Sequence, residues 1–266
     1  MNEVSTFNWA LFFCLVGICL PGVIVAIPQV LNSLEKTIIS NLPEGKKIPP
    51  KSVLIVITMT QNLILVAIAA AVGVALAHRV GLQAPFFESL VSGGALLGAL
   101  RPQIAPALIG GVGGAIVFIA AYYVVFRPRL DDQTVKAMED LRVGLGIWSR
   151  ILYGGIYEEI LTRWGLMTLL VWLGALLAGG PAPAVVWIAI VISGVLFGLG
   201  HLPAYLAAGC KKTPLFLAAM ISLNLWAALI FGWLFWQYGL LSAILAHMIF
   251  HLVWLPFDLH FYGRKP

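Results

Sequence analysis

Seven long apolar runs, near residues 8–31, 53–77, 104–126, 151–178, 184–208, 214–236 and 239–257, decide what this chain can fold into. About twenty apolar residues in a row match the hydrocarbon thickness of a bilayer when wound as a helix. Inside hydrocarbon there is no water to satisfy the backbone, and a helix satisfies it within the segment. Apolar residues make up 61% of the chain and charged ones only 10%, too few for the solvated faces of a soluble domain. The expected fold is an all-α, polytopic transmembrane bundle of about seven spans. A shorter stretch at 85–101, broken by Ser92-Gly93-Gly94 and ended by Arg101-Pro102, suits an interfacial or re-entrant segment, which would bring the count to eight.

The first run lacks a basic leader and is too long for the apolar core of a signal peptide, so it reads as a retained helix. The stretch 41–51 is rich in turn formers and charge and reads as a linker. Gly110, Gly111, Gly113 and Gly114 offer small residues for close helix packing. Residues 128–142 read as a short amphipathic helix, with Leu130, Val135, Met138 and Leu141 expected on its membrane side. Cys14, Cys19 and Cys210 show no metal spacing and read as small apolar fillers.

Orientation follows from the cations. Lys36, Lys46, Lys47 and Lys51 fall in one loop, and Arg127, Arg129, Lys136, Arg142 and Arg150 in another. Lys211 and Lys212 lie in a turn on that same side, as do Arg264 and Lys265 at the C-terminus. Only Arg79 and Arg101 oppose these thirteen. The positive-inside rule then puts the N-terminus outside and the C-terminus in the cytosol. This asymmetry accounts for the net charge of +5 without a nucleic-acid partner. The lipid bilayer is the partner that composition implies.

The spans are not uniformly apolar. Glu158, Glu159 and Arg163 fall within six residues of the fourth run. Each costs about 2.5–3.5 kcal/mol at mid-membrane on insertion scales, so the trio is expected to face a wet, protein-lined interior. Glu159 and Arg163, four apart, share a helix face and can pair. Glu158 is rotated by about 100° and aligns with Thr162, free to face a cavity. Phe197 and His201 are four apart on the fifth span, and His247 and His251 four apart on the seventh. Separately, these have bland readings: a register-fixing ion cluster, a helix-bridging histidine, an imidazole pair between helices. His78, His260 and Asp258 fall near span ends and read as edge residues.

Together, Glu-Glu-xxx-Arg, Phe-xxx-His and His-xxx-polar on successive membrane helices resemble the CAAX protease and bacteriocin-processing (Abi) family, which includes type II CAAX prenyl endopeptidases. The resemblance covers roughly residues 145–257. It divides the chain into residues 1–142, N-terminal helices with a cytosolic amphipathic linker, and residues 143–266, a catalytic four-helix membrane core. It implies an intramembrane endopeptidase acting on a membrane-associated peptide or protein, set in the inner membrane of a bacterial cell. Glu158 and His201 would activate water, Glu159 and Arg163 would support them with Phe197, and His247 and His251 would stabilise the transition state. The family usually carries asparagine or aspartate where this chain has His251.

The chemistry stands without the family. Amide hydrolysis needs a base for water, a donor for the oxyanion and an acid for the leaving amine. Glu158, His201 and His247 with a water would alternatively suit zinc, a metalloprotease-like arrangement. Two other classes compete: a proton- or ion-coupled transporter using the same groups as a relay, and a catalytically silent scaffold or immunity protein. No inverted repeat with broken helices is visible, which counts against transport.

Overall fold

The computed structural model describes residues 7–40 and 49–264. Among them there are helices and no strands, and seven helices are long and apolar enough to cross a membrane. The protein is an all-α polytopic bundle and an integral membrane protein. Most of the 41–51 linker lies outside the described residues.

The helices are α1 (Trp9–Ser40), α2 (Lys51–Leu76), α3 (Pro85–Ser92), α4 (Leu96–Ala120), α5 (Asp132–Ser149), α6 (Thr168–Ala178), α7 (Pro183–Ala207), α8 (Pro214–Tyr238) and α9 (Leu240–Phe261). Small residues set the closest approaches. Side chains at Gly110, Gly111 and Gly114 would collide with Leu234, Ile249 and Ile230, so α4 nests between α8 and α9 there, while Gly113 faces open space. The Gly114 carbonyl accepts from Trp226 Nε1 at 3.0 Å. Gly194 sits against Ala228 in the same way, joining α7 to α8. Cys19 and Cys210 are buried and Cys14 half-buried, with no disulfide among the described residues.

Two expectations change. Residues 85–101 are not one interrupted segment: α3 ends at Ser92, and α4 begins at Leu96 and runs through Arg101, Pro102 and Pro106. Each proline removes one donor from the ladder, and neighbouring helices make that tolerable inside a membrane. Nor do Leu130, Val135, Met138 and Leu141 face lipid, since each is at most 5% exposed. Their helix is held against the protein from its polar positions. Arg127 pairs with the buried Glu139 at 2.8 Å, and Asp131 caps α5 by accepting from the Thr134 amide.

α5 leads straight into the span that carries the glutamates. Gly146 breaks it with φ 61° and ψ 176°, a backbone conformation essentially restricted to glycine. Beyond the break, Arg150–Glu158 and Ile160–Met167 are π-helical. Such windings are rare, usually limited to one turn and frequent at functional sites. Here they flank Glu159.

Candidate active site

The π-helical segment passes between α2 and α9. Gly165 meets Ala69 of α2, and Gly155 meets Met248 of α9, both closer than any side chain would allow. That proximity lets the polar residues of several helices meet. Glu159 and Arg163 are both fully buried, with Arg163 Nε 3.3 Å from Glu159 Oε2. The other oxygen, Oε1, lies 2.8 Å from His247 Nδ1 on α9. Arg163 also reaches Thr162 Oγ1 at 3.1 Å, and its guanidinium carbon stands 5.8 Å from the centre of the Phe197 ring on α7. Glu159 thus joins its own span to α9, and Arg163 extends the contact to α7.

Glu158 points elsewhere. Its side chain is 17% exposed, and Oε1 lies 3.8 Å from His201 Nε2. His201 Nδ1 is 2.8 Å from the Phe197 carbonyl. A carbonyl only accepts, so Nδ1 carries a proton and the neutral ring leaves Nε2 as an acceptor. At 3.8 Å the two groups are too far apart for a direct hydrogen bond, and one water can bridge them. Phe197 has two parts in this: its ring lies under Arg163 and its carbonyl sets the His201 tautomer.

His247 and His251 stack with ring centres 4.8 Å apart and planes 25° from parallel. The stack extends to Phe231 on one side (4.6 Å) and Trp254 on the other (6.0 Å). Gly154 makes room for it, because a Cβ there would stand 2.8 Å from His251 Nε2. Glu158, His201, His247 and His251 all line one cavity of about 690 Å³.

α2, far from the matched motifs, supplies more of the wall. Asn62 accepts from Tyr153 at its side-chain oxygen (2.7 Å) and from Tyr157 at its backbone carbonyl (3.1 Å). α1 joins through a hydrogen bond from Ser149 to Gln29.

The larger surprise is Asp258. It is 1% exposed, not an edge residue. Oδ1 accepts from Tyr123 (2.8 Å) and Arg142 (3.1 Å), and Oδ2 from Arg150 (2.7 Å). Arg142 and Arg150, which sequence alone assigns to a solvated loop, are 3% and 5% exposed. The signal was present in the spacing: 247, 251, 254 and 258 follow the i, i+4, i+7, i+11 stripe of one helix face. His78 and His260 are exposed at span ends, as expected.

The zinc alternative gains no support from the geometry. Among the described residues, no three His, Cys, Asp or Glu side chains are gathered to hold a metal ion. His247 gives one ring nitrogen to Glu159.

Residues 141–253 match the family model of type II CAAX prenyl endopeptidase Rce1-like proteins. That family is one of CAAX-type intramembrane proteases. No curated protein and no solved structure matches the chain.

Proposed function

We propose that this protein is an intramembrane endopeptidase that hydrolyses peptide bonds of a membrane-associated protein or peptide. The observation that carries the reading is the opposition of Glu158 and His201, from different helices, at 3.8 Å on the wall of the cavity. Water held between them loses a proton to Glu158 as its oxygen attacks the scissile carbonyl carbon. The oxyanion forms beside His247 and His251. With Nδ1–H given to Glu159, His247 has Nε2 left for substrate, and it donates there when the ring carries both protons. Glu158 then passes its proton to the leaving nitrogen as the C–N bond breaks. The test compares membrane peptides from cells carrying wild-type protein or Glu158→Gln. Peptides that accumulate as uncleaved precursors only with the variant support the reading, and identical peptide sets overturn it.

Gly154 supplies a second test. Gly154→Ala is expected to push the His251 ring out of its stack, since its neighbours leave it no free path. Turnover should fall on the order of 10²–10³, as for one lost oxyanion donor. Combining it with the shorter His251→Asn should recover part of that loss. Wild-type turnover in Gly154→Ala would remove His251 from the reaction.

The proposed setting is the inner membrane of a bacterial cell, with the N-terminus outside and the C-terminus cytosolic. An odd number of spans puts the termini on opposite sides, and the cations choose the direction, eleven against two once the buried Arg142 and Arg150 are set aside. A reporter fused after Pro266 is expected to be cytosolic, and one inserted at Gly180 external. The reverse pattern overturns the assignment.

A further inference from the structure

A second cavity, of about 520 Å³, lies between α4, α7 and α8 and shares no residue with the one that holds Glu158. α4 opens it by presenting short side chains there, Ala105, Pro106 and Gly110, against longer ones on its neighbours. The two walls close on each other at Gly110, where a Cβ would stand 2.8 Å from Leu234 and 3.2 Å from Ile230 of α8. All three helices belong to candidate membrane spans, so the mouth of this groove meets acyl chains. Ile109, on its rim, is 75% exposed.

Depth and polarity fit a single leaflet. From Tyr238 to Leu229 the groove follows α8 for about 14 Å, close to half of a hydrocarbon core about 30 Å thick. Successive spans alternate in direction, so α4 and α7 begin, and α8 ends, at the same membrane surface. Trp187, Trp233 and Tyr238 stand toward that end, the depth at which indole and phenol rings settle. Their N–H and O–H groups make no hydrogen bond among the described residues, whereas Trp226 Nε1 is bound to the Gly114 carbonyl. Arg101 lies one turn before Ala105 on the same face of α4, about 6 Å nearer the surface. Helical side chains lean toward the N-terminus, which here carries the guanidinium to the headgroup level. Arg101 is exposed, and among the described residues no carboxylate or carbonyl pairs with it.

We propose that this groove is a phospholipid site selective for an anionic headgroup, with Arg101 on the headgroup and one acyl chain lying between α4 and α8. The indole and phenol donors supply hydrogen bonds to the ester oxygens at the mouth. Selectivity follows from charge: a zwitterionic headgroup sets its own cation against Arg101, and an anionic one does not. A second copy of the chain is a poorer occupant. An isologous contact would bring Arg101 toward its own counterpart, and no acid lines the groove to separate them. The site is independent of the peptidase reading, since it uses none of the residues of the central cavity.

The test is native mass spectrometry of the full-length protein, delipidated in dodecyl maltoside and titrated with dioleoylphosphatidylglycerol or dioleoylphosphatidylcholine. The first phosphatidylglycerol is expected to bind about fivefold more tightly than the first phosphatidylcholine, the effect of one cation beside an anionic headgroup. Arg101→Gln should abolish that preference and Arg101→Lys should keep most of it. Arg79→Gln should leave it unchanged, because Arg79 follows α2 and lies outside the groove. Ala105→Trp fills the groove from an exposed position and should weaken the first binding of both lipids, with thermal unfolding as in wild type. A preference that survives Arg101→Gln, or that Arg79→Gln reduces equally, belongs to surface charge at large and overturns the site. Wild-type protein that binds the two lipids alike, or Ala105→Trp protein that binds them as wild type does, also overturns it. A dimer that Ala105→Trp dissociates would give the groove to a second copy instead.

Discussion

Glu158→Gln is expected to fold in wild-type yield and to lose peptide hydrolysis by a factor on the order of 10²–10⁴, the range for one general acid–base group. The substitution keeps shape and removes only the charge and the proton affinity. The side chain faces the cavity, with His201 3.8 Å away, too far for a direct hydrogen bond. Glu159→Gln makes the contrast. That carboxylate is fully buried between Arg163 and His247, and neutralising it leaves a guanidinium inside the membrane without its counter-charge. Glu159→Gln should therefore lose folded yield as well as activity. The measurement is the monodisperse fraction from size exclusion in detergent alongside cleavage of any precursor found by the membrane-peptide comparison. If both variants lose yield alike, Glu158 is a structural residue and the catalytic assignment falls.

The largest effect on stability is expected at Asp258. Asp258→Ala strands two arginines that are each 5% exposed or less. Removing one partner of a buried ion pair costs about 3–5 kcal/mol, and the whole stability of a domain is about 5–15 kcal/mol. Little folded protein should survive. Tyr123→Phe removes a single hydrogen bond to the same carboxylate, at 2.8 Å, and should cost only about 1.5–3 kcal/mol. Asp258→Asn should fall between, since the amide oxygen still accepts. Thermal unfolding in one detergent ranks the three. An Asp258→Ala protein as stable as wild type would show that the arginines are paired or hydrated by other means.

Much of this molecule is legible without coordinates, for one physical reason. A bilayer penalises every exposed polar group, so sequence in a membrane is a record of environment. That penalty makes the seven spans visible, and it makes Glu158, Glu159, Arg163, His201, His247 and His251 conspicuous. The i, i+4 spacing of Glu159 and Arg163 is enough to expect the pair that forms. Asp258 reads as an edge residue because it lies late in an apolar run, where a carboxylate ordinarily reaches water, yet it is buried. Its burial depends on α5 folding back over α9, which the run itself does not encode. Arg142 and Arg150 were counted as loop cations for the same reason.

Local composition and periodicity are enough to read the solvent, the helical fold and the set of side chains too costly to leave in lipid. Which of these side chains meet follows from the packing of the helices. The π-helical winding at 150–167, the glycine-only turn at Gly146 and the close passages at Gly154, Gly155 and Gly165 arise from packing between helices. A 3.6-residue period read along one chain carries no information about them. Those approaches set the 3.8 Å gap between Glu158 and His201 and the column of rings through His247 and His251.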